Sequence, residues 1–305
     1  MRISNQMSNQ MLSNNIMDNQ AAVYRKEQQI ASGNRMEKAS DDPVAWARLS
    51  QLLDQQEGLV QYERNAQLVE SRLLSADQML DSIGSLLQNA SELAVQASDG
   101  TLNEADRQVL GAQVDALLEQ LVTRANTPSD GGGYLFGGIQ SASEPFAVTR
   151  NADGYIDSVV YEGGSVSAMV EVAAGDALPN QLVGGGADNG VLISSSTDAF
   201  APLIEMRDRL LAGENLAETT LQTQVDGAAE KVIVSRASVG AYIEHLSFVN
   251  EIRGNQDVSL KEDISALEGI DIAQAVSELT EKQTAYQAAL AMATKTVNMS
   301  LLNYI

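Results

Sequence analysis

The sequence predicts a mainly α-helical protein, a long antiparallel coiled-coil rod built from the N- and C-terminal segments, with a small antiparallel β module inserted at residues ~134–195. Three observations carry this. Apolar residues recur every seven positions before residue 100 and again after residue 220. Glycine is concentrated in the middle, where 13 of the 23 fall between Gly131 and Gly190. Aromatic residues are only 4% of the chain, which suits helices packed through Leu, Val and Ala better than a core built on rings.

The first thirty residues carry a helical stripe, Ile3, Met7, Met11 or Leu12, Ile16, Val23 and Ile30, on a background of amides and hydroxyls. Eleven of the first twenty residues are Ser, Asn or Gln, so this helix is weak alone and is expected to order only against a partner. Ser40-Asp41-Asp42-Pro43 offers N-caps before a proline suited to the first helical turn. The helix that follows has one seam at Leu52, Leu59, Ala66, Leu73, Leu80, Leu87 and Ala94 and a second at Tyr62, Val69, Ala76, Ile83, Ala90 and Ala97. At ~1.5 Å per residue it would be about 75 Å long. Gly100 ends it, and Thr101-Leu102-Asn103-Glu104 reads as the cap of a second helix carrying Leu110, Val114, Leu117 and Leu121.

Between Tyr134 and Ile193 the period changes to two. Residues 155–162 and 165–172 read as strands, with Asp153-Gly154 and Gly163-Gly164 as hairpin turns and the glycine-rich run 131–138 as a flexible hinge. Helical character resumes near Asp198 and runs through Leu203, Met206 and Leu210. It strengthens in Leu221, Val225, Val232, Val239, Tyr242 and Leu246, and a polar stretch at Gly254 to Asp257 reads as a break. The last helix places Ile272, Leu279, Tyr286 and Ala293 every seven residues, interleaved with Val276, Leu290 and Val297.

A heptad face cannot stay bare, so the helices before the insert should pack on those after it. Three parts are expected: 1–42 with 268–305 as a terminal polymerisation domain, 43–130 with 197–267 as the rod, and 131–196 as the β insert. The candidate assembly interface is Ile3, Met7, Leu12, Ile16, Val23, Ile30, Ile272, Val276, Leu279, Tyr286, Leu290, Val297, Leu301 and Leu302. The candidate rod core is Leu52, Leu59, Tyr62, Val69, Leu73, Leu80, Ile83, Leu87, Val225, Val232, Val239, Tyr242 and Leu246.

Charge narrows the function. With 19 Lys+Arg against 41 Asp+Glu the net charge is −22, which repels nucleic-acid phosphates and anionic membranes alike. Neither a cleavable signal nor a membrane-spanning run is visible, so the chain is expected to be soluble or exported by another route. The cysteine count is zero, which removes disulfides, thiolate metal sites and a thiol nucleophile. His245 is the single histidine, so two-histidine metal sites are excluded, and its expected role is that of a flank or packing histidine on a helix. The 131–138 run lacks the lysine and glycine spacing of a phosphate loop. Asp41-Asp42 and Glu262-Asp263 lack the alternation of a calcium loop. No enzyme, cofactor or metal site is expected.

Met1-Arg2-Ile3-Ser4, Ile30-Ala31-Ser32-Gly33-Asn34-Arg35 and Ala39-Ser40-Asp41-Asp42-Pro43-Val44-Ala45 resemble the N-terminal signature of the flagellin superfamily. Val239-Gly240-Ala241-Tyr242, the stretch 269–275, Gln287-Ala288-Ala289-Leu290 and Ser300-Leu301-Leu302-Asn303-Tyr304-Ile305 are similar to its C-terminal signature, with Gly269 where the family more often has an acidic residue. The resemblance covers about residues 1–130 and 200–305. It implies a structural axial protein of the bacterial flagellum, exported unfolded through the flagellar type III channel without a cleaved signal and standing outside the cell between hook and filament. Its implied partners are further copies of itself in a ring or short helical layer, a hook-side junction protein, flagellin, and a cytoplasmic export chaperone on the C-terminal helix. A bulk filament subunit and a secreted coiled-coil adhesin remain as alternatives.

Overall fold

The computed structural model describes residues 2–129, 132–186, 189–217 and 220–302, and the side chains of 2–6, 8, 9 and 296–302 are outside that description. The chain order is α1 (Arg2–Ser32), α2 (Pro43–Ala97), α3 (Glu104–Ala125), β1 (Phe146–Arg150), β2 (Ile156–Tyr161), β3 (Met169–Ala173), β4 (Asp176–Pro179), α4 (Ala201–Leu211), α5 (Leu221–Glu268) and α6 (Ile272–Leu302). Two compact units result, Met1–Gly58 with Asn255–Ile305, and Leu59–Gly254, the chain passing between them within α2 and α5. The β insert belongs to the second unit.

Local chemistry sets the helix ends. Asp42 Oδ1 accepts the Ala45 amide at 3.0 Å, which caps α2 just before Pro43. Asn103 and Asp106 form a capping box at α3, their side chains each taking the other's backbone amide. Asp271 Oδ1 accepts the Gln274 amide at 3.1 Å and opens α6. The expected break near Gly254 does not occur, and α5 runs on to Glu268. A single glycine costs a helix only about 1 kcal/mol, which the flanking helix formers offset.

In the second unit α5 runs antiparallel to α2. Ser91 Oγ donates to Asp226 at 2.6 Å, Arg236 spans Asp77 at 2.8 Å and Asp81, and Arg253 reaches Glu63 at 3.9 Å. Between these polar ties Val69, Leu73, Leu80, Ile83, Leu87, Val225, Val232, Val239 and Leu246 are buried, while Leu59, Tyr62 and Tyr242 are half-buried. Leu52, also buried, belongs to the first unit. The helices α3 and α4 pack antiparallel and closely. A Cβ on Gly111 would stand 3.1 Å from Leu210 Cβ, and Arg107 donates to the Gly213 carbonyl at 2.8 Å.

The insert holds two separate hairpins, β1 with β2 and β3 with β4. Asp153-Gly154 does turn the first, with Gly154 at φ 90°, and Gly175 at φ 75° turns the second. Gly163-Gly164 is not a turn between paired strands. Its glycines permit close backbone approach instead: Gly164 N donates to Gly137 O at 2.9 Å, and a Cβ on Gly138 would lie 2.5 Å from Gly164 O. The expected flexible hinge is likewise a packed segment, with Leu135 to Gly138 buried and Gly137 bridged to Val183. Sequence periodicity misses both features, because a glycine used for close approach reads the same as one used for turning.

Three of the four phenylalanines, Phe136, Phe146 and Phe200, are fully buried where the insert meets the helices. Phe146 lies 5.2 Å from the Tyr161 ring and 5.3 Å from Phe200. Burial pushes the Tyr161 phenol above its ordinary value, while its Oη sits 3.0 Å from Phe136 O and 2.9 Å from Gly164 O. Beside this cluster Arg207, 1% exposed, contacts Asp208 at 2.7 Å and Asp115 at 3.4 Å and stacks 5.3 Å from the Tyr155 ring.

Candidate assembly interface

The first unit is built on α1 and α6. Along α1 the residues turned inward are Leu12, Ile16, Asn19, Val23, Lys26 and Ile30, each half-buried. Along α6 they are Ala275, Glu278, Leu279, Lys282, Tyr286, Ala289 and Ala293. The α1 set follows alternating steps of three and four, and so does the α6 set apart from Glu278 on its edge, the spacing of a coiled-coil seam. The helices run antiparallel, since Lys26 Nζ meets Glu278 Oε2 at 2.6 Å and Ile270 N donates to Gly33 O at 3.1 Å. Hydrogen bonding from Lys26 holds the Glu278 carboxyl below its ordinary range.

The breaks between α1 and α2 and between α5 and α6 are joined to each other. Asn34 and Gly269 form an antiparallel bridge, Arg35 N donates to Glu268 O at 2.7 Å, and Asn34 Nδ2 donates to Glu268 Oε1 at 3.0 Å. Gln29, a buried residue that sequence reading passes over as another amide, donates from Nε2 to Arg35 O at 2.7 Å. The Asn34–Gly269 and Arg35–Glu268 backbone pairings join segments more than 230 residues apart, so only a signature at both breaks could have hinted at them.

The other candidates with described side chains lie on outer faces. Met7 is 60% exposed and off the seam, on the same face as Met11, Met17 and Tyr24. At about 100° per residue these four occupy a sector of about 140° opposite Leu12, Ile16 and Val23. On α6, Ile272, Val276 and Leu290 are exposed at 61%, 47% and 40% and form a ridge flanking the seam. Ile3, Val297, Leu301 and Leu302 lie in the helices, with side chains outside the described residues.

Chemistry of other kinds finds little support among the described residues. No group of three His, Asp or Glu could hold a metal ion, and no helix is long and apolar enough to cross a membrane. His245 lies on the flank of α5. It stands exposed and meets Asp176 Oδ2 at 2.8 Å, tying α5 to the β3–β4 hairpin. The same hairpin accepts from Asn65 Nδ2 on α2 at 2.7 Å through the Glu171 carbonyl.

The terminal helices thus pair through a coiled-coil seam and carry exposed apolar side chains on their outer faces. Residues 3–141 match the bacterial flagellin N-terminal helical region, and residues 222–305 match the bacterial flagellin C-terminal helical region. The chain belongs to the flagellin family, as a structural protein of the flagellar axis. Among relatives, flagellar hook-associated protein 3 of Salmonella typhimurium is 26% identical over 99% of this chain and 98% of its own length. A flagellin of Listeria innocua is 26% identical over 90% and 88%. The fold is that of the flagellar hook-associated protein-3 structure from Legionella pneumophila, with TM-score 0.61, 16% identity, and coverage of 72% of this chain and 98% of that one.

Proposed function

We propose that this chain forms the junction between flagellar hook and filament, with α1 and α6 polymerising alongside their counterparts in neighbouring copies. The observation that carries the reading is the likeness to hook-associated protein 3 along 99% of the chain, insert included. The geometry supports it: the seam satisfies the inner faces of α1 and α6 within one chain and leaves exposed apolar side chains on their outer faces for neighbours. The acidic insert, with seven Asp+Glu and no Lys or Arg in residues 151–200, keeps an exposed surface soluble. In this reading residues 1–42 with 268–305 polymerise, 43–130 with 197–267 are the rod and 131–196 the surface knob. The chain is exported to the flagellum, meets a hook-side protein on one side and flagellin on the other, and travels with a chaperone on α6.

The test is deletion of the gene, with electron microscopy of the cells and detection of flagellin in the medium. Bare hooks with flagellin lost to the medium are expected. Bare hooks with the main filament polypeptide absent altogether would make the chain the filament subunit. Normal filaments would overturn both in favour of a secreted adhesin.

A further inference from the structure

Three of the ten methionines stand together on the outer face of α1. Met7, Met11 and Met17 are 60%, 56% and 63% exposed, whereas Met36 and Met206 are buried at 3% and 0%. From Ile3 to Met17 the chain carries no charged residue. Counted together, α1 and α6 hold five Lys+Arg against four Asp+Glu, in a chain whose net charge is −22. The rest of the chain holds 14 Lys+Arg against 37 Asp+Glu, so like-charge repulsion between copies is weakest at this pair of helices. The thioether is unbranched and polarizable, so it fills the irregular gaps between helices meeting at a curved wall. It is also a reactive group exposed on the very surface that must become dry.

We propose that Met7, Met11 and Met17 line the face of α1 against which a second copy of this chain packs, and that oxidation of these methionines by a hydroperoxide switches that face off. The proposal rests on the terminal helices being the polymerising part. In the chemical step a sulfur lone pair attacks one peroxide oxygen, the O–O bond breaks and an S–O bond forms. With hydrogen peroxide one water leaves, sulfur loses two electrons and the peroxide gains them. The sulfoxide is bulkier and more polar than the thioether, so it disturbs the close packing of a second helix on this face. Residues facing α6 within the chain are untouched, so the oxidised subunit stays folded but does not join its neighbours.

The experiment adds purified full-length chain, untreated or treated with hydrogen peroxide, to bare hooks taken from cells lacking the gene, and measures the protein bound against concentration. Peptide mass mapping locates the sulfoxides, and circular dichroism checks the fold. Oxidised chain is expected to need about tenfold more protein for each buried sulfoxide. The variant Met7→Leu, Met11→Leu, Met17→Leu, with Met292→Leu added to clear the exposed methionine of α6, should bind as well after peroxide as before, although Met169, 59% exposed on β3, still oxidises. A photo-crosslinker at position 17 should yield dimers of this chain on the hook. Unchanged binding of oxidised wild type, loss of binding by the oxidised variant, or crosslinks to hook protein alone would each overturn the proposal. Failure of the untreated chain to bind would instead take down the junction reading, and this inference with it.

Discussion

Replacing Ile272 by glutamate separates folding from assembly, because the position is benign in the free subunit and central to the proposed ridge. Ile272 is the first residue of α6 and 61% exposed. Roughly two-fifths of a side chain worth about 1.5–3 kcal/mol when fully buried leaves a loss of about 0.6–1.2 kcal/mol. A carboxylate in the first helical turn returns about 0.3–1 kcal/mol. The free subunit should therefore unfold within about 1 kcal/mol of wild type. Once a neighbour covers the ridge, the same carboxylate is buried without a partner, at several kcal/mol. Even ~3 kcal/mol lowers the assembled population by roughly a hundredfold. Urea unfolding of the purified protein and counts of filaments per cell measure the two halves, with Ile272→Gln expected to lie between. Ile272→Glu cells with filaments of normal number and length would show that the ridge is not an interface.

Three further outcomes follow from the packing. Arg207→Ala should lower stability to urea by about 2–4 kcal/mol, since a fully buried side chain bridging α3, α4 and Tyr155 is lost, and Arg207→Lys should not restore it for want of the planar fork. Gly138→Ala, at φ 56° and with its Cβ 2.5 Å from a carbonyl oxygen, should cost about 1–3 kcal/mol by thermal melting, and an unchanged melting temperature would deny the close approach. The Glu278 carboxyl is held low by Lys26, so its support for α1–α6 pairing is present above the ordinary glutamate value of about 4.3 and fades as pH falls through its lowered value. Spin labels at Gln20→Cys and Thr284→Cys, placed in a chain with no native cysteine, should move apart on acidification below about pH 4, and less so in Glu278→Gln.

Periodic burial was legible wherever it was local. Leu73, Leu80 and Leu87 announce a buried seam because a helix repeats its face every few residues whatever it packs against. Caps at Asp42 and Asn103 were legible for the same reason, each being satisfied within one turn. On α1 the stripe was readable from Leu12 onward but placed Met7 with it, since over a single turn an outer methionine and an inner leucine fit the same pattern. The heptad on α6 mixed seam residues such as Leu279 with ridge residues such as Val276, because spacing gives a face and not what covers it.

By itself, then, the sequence determined the helices, their caps, the glycine-rich insert and the signatures at both ends, all of which depend on neighbours within a few positions. Only the tertiary structure decided that Gly138 and Gly164 serve close approach rather than turning, that Phe146 packs between Tyr161 and Phe200, and that the breaks at Asn34 and Gly269 pair with each other. Each of these depends on atoms brought together across the fold, where the energy lies in contacts and desolvation that no local spacing records.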